Sequence, residues 1–327
     1  MTEAQASYPR LLGDIGGTNA RFAWQAEPGA ALTTVSSYRC RDYDSVQVAI
    51  AAYLHAHQHR PPAACALGVA TAVDGDRITL TNHRWSFSIA ELRTQLGVRR
   101  LAVVNDFTAL ALSLPGLRDD ERVAIGGPDS VPVAGPLAVL GPGTGLGVSG
   151  LLPVATGGWV PVSGEGGHAT LAATNRDEAE IIELLRRHHG HVSAERALSG
   201  PGLVGLYRAV CERAGRPARF IEPQQIVVAA ATDVDCQHAI DVFLAFLGSV
   251  AGNLALILGA RGGVYVGGGI VPRLLHRLPV SDFRQRFEAK GRFSGYLQAI
   301  PTFAITATES PALRGASEAL DAQHESV

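Results

Sequence analysis

The sequence has few cysteines, a single methionine and little net charge, and these shortages exclude several classes of protein. Its four cysteines are scattered and form no C-x-x-C pair, which argues against a disulfide framework or a cysteine zinc site and suits a reducing cytoplasm. The formal net charge is -2, and the absence of a basic excess or an acidic block argues against nucleic acid as a partner. Met1 is the only methionine, which excludes a stripe of thioether side chains.

Signals for secretion or membrane insertion are also scarce. Residues 1–9 contain neither a cationic stretch nor an apolar stretch, so no signal peptide is predicted. The run from Phe243 to Leu258 is apolar, but it contains small and polar residues and is shorter than the roughly 20 residues that a membrane span needs. We therefore predict a buried core helix there, and no membrane partner.

Glycine, in contrast, is abundant, and it is concentrated in short turns. A chain of 327 residues with 37 glycines is long enough for two domains or lobes. Leu11–Trp24 has the pattern of a strand, a glycine turn and a second strand, followed by a third strand and then by helices and strands in alternation. A similar order begins at Leu137. The sequence thus predicts an α/β protein built from two copies of a βββαβα plan.

Three glycine turns indicate a nucleotide site. They are Gly13–Thr18, Gly143–Gly147 and Gly267–Gly269. A phosphate chain needs several converging backbone N–H groups, and glycine supplies both the close access and the positive φ angles that such a cradle can require. Thr18, Asn19 and Thr144 would add side-chain donors. A plain hairpin is the alternative for any one of these turns, whereas the Rossmann spacing and the P-loop motif do not occur.

Asp106 is the first candidate for chemistry. Leu101–Leu110 has the pattern of a buried strand that leads into a helix, with Asp106 near the helix start. Open α/β sheets place their chemistry at the carboxyl ends of strands, and a helix N-terminus favours the charged carboxylate. The alternative is that Asp106 or Asn105 serves only as the helix N-cap.

A group of polar side chains indicates a sugar site. Glu165 and His168 lie three residues apart on a glycine-rich loop, Glu195 precedes another Pro-Gly turn, and Asn82 and His83 stand beside a wide aromatic residue. Carboxylates, amides and imidazoles suit a sugar because each ring hydroxyl both donates and accepts. A solvated loop or a metal pair is the alternative for Glu165 and His168, although no third ligand stands at a suitable spacing.

The motifs together resemble the bacterial glucokinases of the non-ROK type, within the hexokinase, actin and Hsp70 superfamily. The resemblance covers nearly the whole chain in family order. The matching segments are 13–21, 81–85, 105–109, 141–147, 164–168, 193–203 and 267–273. The cysteine-rich zinc motif of the ROK sugar kinases is absent.

The resemblance implies a two-lobe, actin-like and hexokinase-type (ribonuclease H-like) fold with the site between the lobes. The small lobe would comprise 1–110 plus 309–327, and the large lobe 111–308. The family is commonly a homodimer in the cytoplasm. It phosphorylates glucose at the 6-hydroxyl with ATP, and closure about junctions near residues 110 and 308 is predicted to exclude water.

The resemblance also implies roles for individual residues. Asp106 would be the general base, and Asp14 would orient Mg²⁺ through water. The sugar-binding set would be Asn105, Glu165, His168 and Glu195, with Asn82 and Thr144 as further candidates. The ATP-binding set would be Gly13, Asp14, Ile15, Gly16, Gly17, Thr18, Asn19, Gly143, Thr144, Gly145, Gly267, Gly268 and Gly269.

Two other functions remain open from the sequence. A sugar-sensing binding protein could keep this fold without turnover, because fold alone does not determine function. A nicotinamide oxidoreductase is disfavoured, because no glycine turn has the order of strand, G-x-G-x-x-G and helix.

Overall fold

The computed structural model describes residues 7–128 and 134–322 as a series of strands and helices. The strands are β1 Arg10–Ile15, β2 Asn19–Gln25, β3 Thr33–Arg39, β4 Ala64–Val69, β5 Arg77–Thr79, β6 Ser86–Ser88, β7 Arg100–Asn105, β8 Arg122–Gly126, β9 Leu137–Pro142, β10 Leu146–Pro153, β11 Trp159–Ser163, β12 Gly263–Val266 and β13 Thr302–Ile305. The helices are α1 Val46–Ala56, α2 Ile89–Leu96, α3 Asp106–Ser113, α4 Arg176–His189, α5 Gly200–Arg213, α6 Pro223–Ala229, α7 Val234–Leu258, α8 Val271–Leu274, α9 Phe283–Glu288, α10 Ser294–Gln298 and α11 Pro311–Ala322.

These elements form two compact units. Within the described residues, unit 1 comprises 7–117, 153–163 and 307–322, and unit 2 comprises 118–128, 134–152 and 164–306. The sequence had placed the junctions near 110 and 308. Unit 1 reaches further along the chain because α3 continues to Ser113, and it also includes β11, which the sequence had placed in the large lobe.

Unit 1 is built on a five-stranded sheet in the order β3-β2-β1-β4-β7. Strands β1, β4 and β7 are parallel, and β2 runs antiparallel to both β1 and β3. In the register of the parallel strands, Ile15 pairs with Val69 and Val69 pairs with Asn105. The segments that follow these three residues therefore leave the sheet at the same edge.

Helices α3 and α11 pack closely against each other, and α11 also contacts β1, β4 and β7 of this sheet. Gly315 of α11 faces the carbonyl of Ala109 in α3 so closely that no Cβ would fit between them. The buried guanidinium of Arg10 on β1 ties the same helix to the sheet, with Nη1 donating to Asp321 Oδ2 at 2.8 Å and to Ser317 Oγ at 2.8 Å. Helix α11 is thus held against the sheet of unit 1, although it lies far from β1 in the sequence.

Unit 2 contains the strands β10-β9-β12-β13-β8 in that order. Strands β9, β12 and β13 are parallel, whereas β10 and β8 run antiparallel to their neighbours. The sequence did not predict β8, an edge strand on which Ile125 is the one buried residue. Such a strand lacks the buried, β-branched pattern by which β9 and β12 are recognised.

The predicted core helix is confirmed, since the apolar run Phe243–Leu258 forms the second part of helix α7. Helix α7 has 25 residues and is the one helix among the described residues with the length and composition to cross a membrane. Two-thirds of its most apolar stretch is buried inside the protein, as in the core helix of a globular fold. Gly248 and Gly252 allow the backbone of α9 to approach it closely.

Candidate active site

Asp106 is the first residue of α3 and follows β7 directly. The helix is capped by Asn105, whose Oδ1 accepts hydrogen bonds from the backbone N–H groups of Phe107 at 2.9 Å and Thr108 at 3.3 Å. Asp106 Oδ1 also accepts from the Phe107 N–H, at 3.0 Å. The sequence left the N-cap open between these two residues, and it is Asn105. The carboxylate of Asp106 is half-buried at the same helix N-terminus, where the macrodipole favours its charged form.

Asn105 is itself held from the neighbouring strand. Its Nδ2 donates to the carbonyl oxygens of Thr71 at 3.2 Å and Val69 at 3.5 Å, just beyond the carboxyl end of β4. Gly68 on that strand lies against the start of α3, since a Cβ there would be 3.6 Å from Asp106 Cα. The main-chain position of Asp106 is thus determined by two adjacent strands.

The glycine turn between β1 and β2 lies at the same edge of the sheet. The N–H of Gly16 donates to the carbonyl of Asn19 at 2.9 Å, and a Cβ on Gly17 would lie 2.9 Å from Asn82 Cβ. The prediction of positive φ angles in this turn was wrong, because none of its glycines has one. Limited space, especially beside Asn82, accounts for glycine at position 17.

Asp14 precedes this turn, and its side chain is paired. Within the described residues, Ser310 Oγ donates to Asp14 Oδ2 at 2.8 Å and Arg21 Nη1 lies 3.7 Å from the same oxygen. Burial raises the pKa of Asp14, while Ser310 and Arg21 act in the opposite direction. A lone carboxylate with a hydroxyl neighbour fits a Mg²⁺ ion that keeps most of its water and is also bound by phosphate, so the residues present are compatible with the predicted outer-sphere role.

A second glycine turn joins β9 to β10 in unit 2. Gly143 N–H donates to the Gly145 carbonyl at 2.8 Å, and the Gly143 carbonyl accepts from Gly200 N–H at 2.8 Å. Glu195 Oε2 accepts from Leu146 N–H at 2.9 Å. The carboxylate of Glu195 therefore lies against the turn, next to the exposed side chain of Thr144.

Glu165 and His168 lie in the same part of unit 2. They bracket a short 3-10 helix, Gly166–His168, in which His168 N–H donates to the Glu165 carbonyl at 3.0 Å. Gly167 packs directly beneath the carbonyl of Leu146, where no Cβ would fit. Both side chains are exposed, and no group of three potential metal ligands exists among residues 7–128 and 134–322.

The third glycine turn adjoins the second. Gly267 N–H donates to the Leu140 carbonyl at 2.9 Å, and Gly268 has a φ of +86° and packs on the carbonyl of Pro142. Gly268 is the one glycine of the three turns that has the predicted positive φ. The helix that follows, α8, has just four residues.

Unit 1 and unit 2 thus each contain one group of the predicted residues. Unit 1 contains Asp14, the 16–19 turn, Asn82, Asn105 and Asp106, and unit 2 contains the 143–145 and 267–269 turns, Glu165, His168 and Glu195. The wide aromatic residue predicted beside Asn82 does not belong to the site. Trp85 is 1% exposed and donates from Nε1 to the Tyr43 carbonyl at 3.0 Å, so it is a core residue.

Sequence reasoning missed two contacts that hold the site residues. Ser310 reaches Asp14 from the other end of the sequence, and the Thr71 carbonyl binds Asn105 through its backbone. From the sequence alone, Ser310 is only the residue before Pro311, a pair typical of a helix start. The Thr71 contact has no side-chain signal at all.

A profile of the glucokinase family matches residues 11–323. The chain belongs to the glucokinase family. It is 52% identical to the glucokinase of Aromatoleum aromaticum over 98% of this chain and 97% of that one. It is likewise 52% identical to the glucokinase of Paramagnetospirillum magneticum, over 90% of this chain and 92% of that one.

Solved glucokinase structures share the fold of this family member. The crystal structure of a glucokinase from an Antarctic psychrotroph superposes with a TM-score of 0.86 at 36% identity, covering 96% of this chain and 99% of that one. The predicted α/β architecture and the predicted relation to the glucokinases are confirmed.

Proposed function

We propose that this protein transfers the γ-phosphoryl group of ATP to the 6-hydroxyl of D-glucose, giving glucose 6-phosphate and ADP. The observation that carries the proposal is the position of Asp106. It follows β7 at the end of the sheet where the 16–19 glycine turn also lies, and Asn105 is the N-cap of the helix that Asp106 begins. A carboxylate in this position would take part in proton transfer beside a phosphate-binding turn.

Asp106 would accept the proton of the sugar 6-hydroxyl as that oxygen attacks the phosphorus. General-base help of this kind is worth about 10²–10⁴-fold in rate. Because the transition state of phosphoryl transfer is loose and its charge is spread over several oxygens, the remaining catalysis is mostly positioning and neutralisation of charge. The backbone N–H groups of the 16–19 and 143–145 turns would perform that work on the triphosphate.

The other ring hydroxyls would be bound by side chains of both units. Asn105 belongs to unit 1, and Glu165, His168 and Glu195 belong to unit 2, with Asn82 and Thr144 as further contacts. A site that hydrogen-bonds each hydroxyl discriminates strongly against sugars with an inverted one, because its polar groups are then left unpaired. In the described residues Glu195 accepts from Leu146 N–H, so one of its oxygens would also stabilise the phosphate turn.

ATP is the proposed donor, with its adenosine near the 267–269 turn. A ROK-family glucokinase from Streptomyces griseus, which shares the fold at 17% identity with a TM-score of 0.63, was solved with glucose and AMPPNP. Mg²⁺ would neutralise charge on the phosphate oxygens. Asp14 would hold its water shell, and Ser310 would keep that carboxylate in place.

The finer features of the resemblance belong to the same proposal. Four neighbouring strands have the same arrangement in both units. They are β2-β1-β4-β7 in unit 1 and β10-β9-β12-β13 in unit 2, and in each set the first strand is antiparallel to the three parallel strands that follow. That agreement supports the duplicated, actin-like plan, with unit 1 as the small lobe. We also propose a cytoplasmic homodimer of the non-ROK type, whose lobes close on the sugar and so protect ATP from water.

Separate quantification of glucose 6-phosphate and ADP tests the proposal. Purified protein is incubated with Mg-ATP, with and without glucose. Equal yields of both products that depend on glucose support the kinase. ADP without sugar phosphate would contradict the proposal, as would glucose binding without either product, which is the behaviour of a sugar sensor.

A further inference from the structure

One cavity of unit 1 adjoins the 16–19 turn and is lined by cationic side chains. Its volume is about 540 Å³, and it is open to solvent. Its lining residues are Gly17, Thr18, Asn19, Arg39, Arg41 and His83. Half of the lining therefore belongs to the turn proposed to hold phosphate, and two of the remaining residues are arginines that the motifs do not include.

The segment that bears the two arginines is fixed to the turn by the residue between them. Cys40 is completely buried, its N–H donates to the Thr18 carbonyl at 2.9 Å, and its Sγ lies 3.4 Å from the Gly16 carbonyl. Arg39 also pairs with Asn19 in the sheet register. With Cys40 directed inward and bound to the turn, its two neighbours are placed on the cavity side.

The two guanidinium groups are available to an anion. Among the described residues, no carboxylate lies within ion-pair distance of Arg39. Arg41 Nε is 3.6 Å from Asp42 Oδ1, but both side chains are more than half exposed, and such pairs contribute little. Burial and the neighbouring Arg84 lower the pKa of His83, which disfavours a positive charge on its imidazole. The two arginines are therefore the main source of positive charge in the cavity.

Lysine is scarce in this chain, so the two arginines are important as possible phosphate ligands. Lys290 is the only lysine in the sequence, and its Nζ donates to the Ser249 carbonyl in unit 2 at 3.0 Å. No lysine is therefore available at the 16–19 turn, so any cationic side chain that binds phosphate there is an arginine. Arginine matches phosphate oxygens with two parallel hydrogen bonds.

We propose that Arg39 and Arg41 bind the phosphate chain of the nucleotide from the side of the 16–19 turn and thereby contribute to the affinity for ATP. The inference rests on the proposed function and adds two binding residues that the family resemblance does not supply. It concerns the donor alone, so binding of the sugar is independent of both arginines.

Steady-state kinetics of Arg39→Ala, Arg41→Ala and the double variant test the proposal. Each single change is expected to raise the KM for Mg-ATP about three- to tenfold, and the double change more than tenfold, in line with exposed charge-assisted contacts. The KM for glucose and the Tm should stay constant. Arg39→Lys should recover part of the loss, because it restores the charge but not the paired hydrogen bonds.

Arg99→Ala is the matched control, because Arg99 is an exposed arginine of the same unit that precedes the amino end of β7 and does not line the cavity. Inorganic tripolyphosphate should inhibit wild type competitively with ATP. The double variant should need a higher concentration of tripolyphosphate for the same inhibition. An unchanged KM for ATP in the double variant would overturn the proposal, as would non-competitive inhibition by tripolyphosphate. If wild type forms no glucose 6-phosphate, the proposed function is wrong, but the role of the arginines can still be tested. Calorimetry then compares the affinity of wild type and of the double variant for tripolyphosphate, and equal affinities would contradict the proposal.

Discussion

Asn105 accepts a hydrogen bond of 2.9 Å at Oδ1 from the backbone N–H of Phe107, across Asp106. Its Nδ2 at the same time donates to the Thr71 carbonyl at 3.2 Å. One side chain thus joins the first turn of α3 to the end of β4. The residue between Asn105 and Phe107 is the proposed general base, so the cap also positions the base.

Replacing Asn105 therefore should impair both stability and catalysis. Asn105→Ala removes the cap and is expected to lower the free energy of unfolding by about 1 kcal/mol. Asn105→Asp keeps the cap oxygen but loses the amide donor to Thr71, so it should retain the stability of α3 better than the alanine variant. Urea unfolding and kcat are measured for both. Equal stability of Asn105→Ala and wild type would contradict the capping role.

Asp14→Asn should lower the activity without lowering the stability of the fold. Because burial raises the pKa of Asp14, the folded state disfavours its charged form, and this cost is present at neutral pH and disappears as the pH falls below the ordinary carboxyl pKa. The variant should therefore be at least as stable as wild type at pH 7, with the advantage shrinking towards acid pH. Its activity should fall about 10- to 100-fold, as is typical when a residue that orients a metal ion through water is lost.

Urea midpoints between pH 4 and pH 8 measure this difference. Asp74→Asn serves as control, since Asp74 is an exposed residue of the same unit. An Asp14→Asn variant that is destabilised most at pH 7 would show that the charged carboxylate stabilises the fold, contrary to the expectation.

Gly143→Ala tests the phosphate role of the second turn without disturbing the fold. A Cβ at Gly143 would meet nothing within 4 Å, and the residue does not have a positive φ. Its Tm should therefore equal that of wild type, while the KM for Mg-ATP should rise because the methyl group occupies the path of the phosphates. Gly295→Ala, which also adds a methyl group in open space, should leave the KM unchanged. Identical KM values for the two variants would argue against phosphate binding at this turn.

The parts of the site that could be predicted from sequence are those encoded by neighbouring residues. Leu11–Trp24 shows its hairpin locally, because apolar strands flank a run of glycines, and the glycine turn after β9 is recognisable in the same way. Local sequence could not decide whether Asn105 or Asp106 caps α3, since both residue types cap helices well. The position of Asn105 depends on Thr71, which lies just beyond the end of another strand, β4.

Other features depend on contacts between distant parts of the chain. Trp85 is adjacent to polar residues in sequence, yet its indole faces the core because Tyr43 offers a carbonyl to Nε1. Ser310 approaches Asp14 only because α11 packs on the sheet of unit 1. The two arginines beside Cys40 form no motif, and their relation to the glycine turn is visible only once β2 and β3 are paired.

The measurement that tests the central claim most directly is the rate of glucose 6-phosphate formation by Asp106→Asn at saturating Mg-ATP and glucose. Asparagine has the shape of aspartate and can occupy the first position of α3, but it cannot accept the hydroxyl proton. We predict a fall of about 10²–10⁴-fold in kcat with glucose binding and Tm preserved. A kcat close to that of wild type would show that Asp106 is not the general base and would contradict the mechanism proposed for this site.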